Sequence, residues 1–79
     1  MKYMNKEDRL KKLIAIYNPD FDAEMIRFIR EDNASLIFHV HGTLKQAGVF
    51  NLYPASSIKS LVDGRTVKYY IVTITEENL

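Results

Sequence analysis

Seventy-nine residues without a cysteine make one small domain that neither a disulfide nor a thiolate metal site can staple, so its stability rests on its core or on a second subunit. A hydrophobic content of 47% excludes disorder by composition, and no apolar run is long enough to cross a bilayer. The net charge of +1 is unevenly laid out: five Lys/Arg against two acids in residues 1–17, two against five in 18–33, and four against one in 34–75.

The start of the chain goes straight into charged residues and lacks the apolar stretch of a signal peptide, which makes a cytoplasmic protein the expectation. Asn5 is placed to cap a first helix, with Asp8 three residues on. Leu10, Leu13, Ile14 and Tyr17 fall at i, i+3, i+4 and i+7, one helical face. That spacing predicts a helix over about 5–17, ended by Asn18-Pro19, because the residue before proline is pushed out of the α region.

A second helix is expected over about 20–32. Asp20 and Asp22 suit its positive end, and Phe21, Met25, Phe28 and Ile29 form a stripe that Ile26 widens. Asn33 would stop it in a left-handed conformation. Glu31 and Asp32 fit poorly there, since acids in a last turn oppose the helix dipole. The two oppositely charged segments would then attract across a helix pair.

From Ser35 the period changes to two. Leu36, Phe38 and Val40 point one way, and Ile37, His39 and His41 the other. Strands are expected over about 35–45 and 48–53. They would pair around Gln46-Ala47 with Leu44 facing Val49, or be joined by a wider loop over 42–48. Residues 56–62 suit either a strand or a short helix. The strand, over about 57–62, is preferred because Asp63-Gly64 is a strong two-residue hairpin signal. The last strand, about 65–75, is rich in β-branched and aromatic residues on both faces. It reads as an inner strand whose length leaves part of an edge unpaired. The resulting class is α+β: two N-terminal helices packed on a small antiparallel meander of three to four strands. Its expected core is Leu10, Leu13, Ile14, Tyr17, Phe21, Met25, Phe28, Ile29, Phe38, Val40, Ile71 and Val72.

No residue set forms an enzyme's signature. His39 and His41 share a strand face, but zinc needs at least three protein ligands, so neither a metal nor a cofactor is expected. The serines lie outside any nucleophile motif, and the three glycines form no phosphate loop. The second segment is too acidic and too apolar for a DNA-reading helix. Binding residues are instead expected on the basic β half: Lys45, Lys59, Arg65, Lys68 and Tyr70. A two-residue Asp63-Gly64 loop would pair Val62 with Arg65 and set Lys59 opposite Lys68, an electropositive spot that like-charge repulsion makes costly.

The expectation is a non-enzymatic regulatory protein that binds a protein partner through its β surface, such as a stoichiometric inhibitor from a mobile element. A nucleic-acid-binding regulator using the basic β half is the alternative. The apolar load of 66–75 also predicts a homodimer.

Overall fold

A computed structural model describes residues 4–44, 50–52, 57–62 and 67–79, with backbone alone for 59–62 and 67–68. The element order is α1 (Lys6–Tyr17), β1 (Phe21–Asp32), β2 (Ser35–Leu44), β3 (Ser57–Val62), β4 (Val67–Thr75) and a short 3-10 turn, Glu76–Asn78. The class is α+β, with one helix on a four-stranded antiparallel sheet of order β1-β2-β4-β3. The order is not that of a meander, because β4 lies between β2 and β3.

Helix α1 begins as its sequence dictates. The Asn5 side chain accepts a hydrogen bond from the Asp8 N–H at 2.8 Å, satisfying a donor that the first turn cannot pair. Leu10 and Ile14 are buried and Leu13 is partly so, whereas Tyr17 is 41% exposed and leaves the expected core. At the other end the Asn18 N–H returns to the Ile14 carbonyl at 2.7 Å, and the Phe21 N–H closes a tight turn on the Asn18 carbonyl at 3.0 Å. Pro19 sits inside that turn, where its fixed φ is an advantage.

The second helix does not form; residues 21–32 are the edge strand β1. The reason lies in two irregularities of register, between Ala23 and Met25 and between Phe28 and Arg30, which leave Glu24 and Ile29 as extra residues. Each extra residue advances the alternation by one. Phe21, Ala23, Ile26 and Phe28 therefore all turn toward the core side, a set that no uninterrupted alternation joins. Met25 and Ile29, core residues in a helix, are exposed instead. Asn33 does take a left-handed conformation (φ 49°), but together with Ala34 (φ 65°) it makes the two-residue link between Asp32 and Ser35. Paired positive φ values are what a type I′ hairpin turn uses.

Strand β2 keeps its expected faces: Leu36, Phe38 and Val40 are fully buried. Its partners are other than expected. Leu44 pairs with Phe21, Gly42 with Ala23, and Val40 with Ile26 on one side and Tyr70 on the other. The strand expected at 48–53 is absent from residues 50–52, while Gln46-Ala47, Val49 and Tyr53 lie outside the described residues. The Asn51 backbone is already engaged. Its N–H donates to Asn18 Oδ1 at 2.7 Å and its carbonyl accepts from Asn18 Nδ2, so neither is free for a ladder.

Residues 57–62 form a strand, and β4 is the inner strand expected. It pairs with β2 over Tyr69–Thr75 and with β3 over Val67–Thr73, so the sheet's edges belong to β1 and β3, while Val67 and Lys68 extend beyond the pairing with β2, and Ile74 and Thr75 beyond that with β3. The core lies between the sheet and the layer made by α1 and residues 50–52. The aromatic rings of Phe21, Phe50 and Tyr70 meet in it, with Phe50 stacked on Tyr70 at 4.1 Å and Phe21 edge-on to Phe50 at 5.1 Å and to Tyr70 at 5.5 Å. Leu36, Phe50, Leu52, Tyr70 and Ile74 are core residues missing from the sequence-based set.

Candidate functional site

A sheet with a helix on one face presents the other. Alternation sends Tyr70, Val72 and Ile74 into the core, which turns Tyr69, Ile71 and Thr73 outward. On β2 the same rule turns out Ile37, His39 and His41.

Register then arranges this open face in rows. Met25, His41 and Tyr69 lie side by side across β1, β2 and β4, and the next row is Arg27, His39, Ile71 and, at its register position on β3, Lys59. The row beyond is Arg30, Ile37, Thr73 and Ser57. Met25 is 49% exposed and Tyr69 47%, high values for large apolar side chains.

The rows have an internal structure. The His41 ring stacks on Tyr69 with centroids 4.7 Å apart and planes at 17°. Its Nδ1 lies 3.5 Å from the carboxylate of Glu24, the extra residue of the first bulge. The bulge therefore re-aims a carboxylate toward the histidine. Beside the stack, His39, Tyr69, Tyr70 and Ile71 line an open depression of about 340 Å³. Arg27 and Arg30 are exposed along β1. On this face the middle strands thus carry Ile37, Tyr69 and Ile71 with His39 and His41, and the β1 margin carries Arg27, Arg30 and the Glu24 carboxylate.

The sequence-predicted binding residues fare differently. Tyr70 is 2% exposed and its ring packs in the aromatic core, turned away from the open face. Burial pushes its phenol above the ordinary value of 10.0. Lys59 is not opposite Lys68. It pairs with Ile71, and a shift of register leaves Lys68 as an extra residue between the pairs Leu61–Tyr69 and Val62–Val67. Val62 thereby pairs with Val67 instead of Arg65, so the two-residue hairpin and its lysine pair are both overturned. Lys45, Arg65 and the Asp63-Gly64 turn lie outside the described residues.

The open-face residues that the sequence did not point to are Met25, Arg27, Arg30, Tyr69 and Ile71, of which Met25 and Ile71 were expected in the core. Three of them sat in a supposed helix. Tyr69 and Ile71 were legible as one face of the last strand, but the sequence does not say which face a helix will cover. Among the described residues no group of three His, Cys, Asp or Glu is placed to hold a metal ion, and no helix is long and apolar enough to cross a membrane. Comparison of the chain with protein-family models, with curated proteins and with solved structures returns no match.

Proposed function

We propose that this is a small non-enzymatic interaction protein, acting inside the cell, that binds a protein partner on the open face of its sheet. The observation that carries the reading is the joint exposure of Met25 and Tyr69 beside Ile37, Ile71 and the histidines on one face. An apolar surface rimmed by charge is the common form of a protein-binding patch. The β1 edge suits strand addition less well. β1 carries two bulges and exposed charges at Asp22, Glu24, Arg27, Arg30, Glu31 and Asp32, devices that discourage pairing with another strand.

Cross-linking in the native host, followed by identification of the attached protein, tests the proposal with two variants. Tyr69→Glu should abolish the attachment, while Ile16→Glu, on the 62%-exposed outer side of α1, should leave it intact. The reverse outcome, with both variants folded by circular dichroism, assigns the function to the helix and removes the open face from consideration.

A second reading, a nucleic-acid-binding regulator, draws on Arg27 and Lys59 sharing one row. It requires oligonucleotide affinity that falls steeply with salt.

A further inference from the structure

We infer that the occupant of the open face is an amphipathic helix of a partner protein with carboxylates along its two flanks, an inference that rests on the reading of that face as the binding surface. The dimensions of the sheet lead to this. Neighbouring strands lie about 4.8 Å apart, so β1 and β3 are separated by roughly 14 Å, three spacings. An α-helix with its side chains is about 10–12 Å across. One helix laid along β2 and β4 would therefore cover the middle two strands and bring its flanks over the outer two. The middle offers Ile37, Ile71, Tyr69 and the exposed His39; the outer strands offer Arg27 and Arg30 on one side, with the Glu24 carboxylate turned to His41, and the position of Lys59 on the other. An apolar stripe bordered by acids matches both the width and the charge.

A second copy of this chain fits worse. Two sheets can meet face to face about a two-fold axis running along the strands or across them. The first sets β1 over β3, bringing Arg27 near the partner's Lys59 position; the second sets β1 over β1, bringing Arg27 and Arg30 near their own duplicates. Nor can a second copy supply an acidic helix, because the exposed side of α1 carries Lys11 and Lys12. A single nucleic-acid strand would find the cations but few rings. Tyr69 is the one large aromatic exposed among the described residues of this face, and His41 already covers one side of it.

The test is a heteronuclear NMR titration of the intact protein with two synthetic amphipathic peptides and with oligothymidylate. The peptides share one leucine stripe and differ only in carrying glutamate or lysine on both flanks. The glutamate peptide should shift the amides of Ile37, His39 and Ile71 and leave those of α1 unmoved. An Arg27→Glu/Arg30→Glu double variant should bind it roughly tenfold more weakly and should gain affinity for the lysine peptide. If both peptides bind the parent face equally, acidic flanks are not what it selects; the inference falls and the open face stands. If neither peptide moves those amides, the inference falls as well, and the Tyr69→Glu cross-linking result decides the open face independently. Oligothymidylate shifting the same amides, with affinity lost as salt rises, would overturn it in favour of a nucleic acid.

Discussion

The side-chain amide of Asn18 closes on the backbone of Asn51, 33 positions along the chain, accepting from its N–H and donating to its carbonyl. Asn18 is only 5% exposed, and its own backbone caps α1 and begins the turn into β1. One residue thus ends the helix, starts the first strand and holds the segment that delivers Phe50 and Leu52 to the core. Asn18→Ala removes a donor and an acceptor and leaves two part-buried backbone groups without partners. The expected cost is about 2–4 kcal/mol in urea unfolding. Asn51→Ala should cost little, because Asn51 contributes its backbone to the clamp. Equal losses in the two variants would show that the clamp is not what holds the segment.

How far the fold was legible follows from where local and tertiary signals agree. Asn5, Leu10 and Ile14 announce α1 because cap and stripe are both local. Leu36, Phe38 and Val40 announce a strand because nothing interrupts their alternation. In β1 the alternation is broken twice, and Phe21, Met25, Phe28 and Ile29 share one helical face by spacing although only Phe21 and Phe28 of them turn to the core. The signal that favoured the strand was the unfavourable placement of Glu31 and Asp32 at a helix end, followed by Asn33. The open face was half legible. Alternation sets His39 and His41 opposite Leu36, Phe38 and Val40, but a two-residue Asp63-Gly64 turn pairs Lys59 with Lys68, and the bulge at Lys68 overturns that pairing. An extra residue in a strand leaves no compositional mark.

Ala34 sits in the hairpin at φ 65°, a conformation that costs an L-residue with a Cβ roughly 1–2 kcal/mol. Glycine relieves this strain but loses more chain entropy on folding. Ala34→Gly, which creates the preferred Asn-Gly pair of a type I′ turn, should raise stability by about 0.5–1 kcal/mol. Thermal unfolding reads it directly, and a lowered midpoint would mean that the turn does not need the freedom of glycine.

Gly42 pairs with Ala23 and faces the ring of Phe21. A Cβ at this position would overlap the Asp22 carbonyl and the Phe21 Cζ, and would lie 2.9 Å from Phe21 Cε1. The carbonyl belongs to the paired strand and cannot swing aside as a side chain can. Gly42→Ala should therefore cost about 1–3 kcal/mol through overpacking, in spite of the better strand propensity of alanine. Unchanged stability in urea would show that β1 yields at its Phe21 end without loss.

Phe28 supports the core from β1, edge-on to Phe38 at 5.4 Å and beneath the Lys6 ammonium at 4.9 Å. It is only partly buried. Phe28→Ala should then fall at or below the lower end of the roughly 3–5 kcal/mol typical of a fully enclosed phenylalanine. Lys6→Ala should cost about 1 kcal/mol, as befits a partly exposed cation–π contact. A loss from Lys6→Ala as large as that from Phe28→Ala would mean that the lysine does more than lie over the ring.

Tyr70 gives the fold an alkaline limit. Burial disfavours its phenolate, so the native protein keeps the proton to higher pH than the unfolded chain, whose tyrosines ionise near 10. Below about pH 10 both states hold the proton, and the stability associated with the neutral phenol is complete. As pH rises above 10 the unfolded chain releases its proton first, so unfolding becomes progressively easier until the native phenol ionises as well. Other tyrosines and lysines titrate in the same range, so the informative quantity is a difference. Urea midpoints of the parent and of Tyr70→Phe should run parallel up to about pH 10. Above it the parent should fall away faster, because phenylalanine keeps the ring stacked on Phe50 and has no proton to lose. Curves that remain parallel through the alkaline range would show that the Tyr70 hydroxyl reaches water in the folded protein.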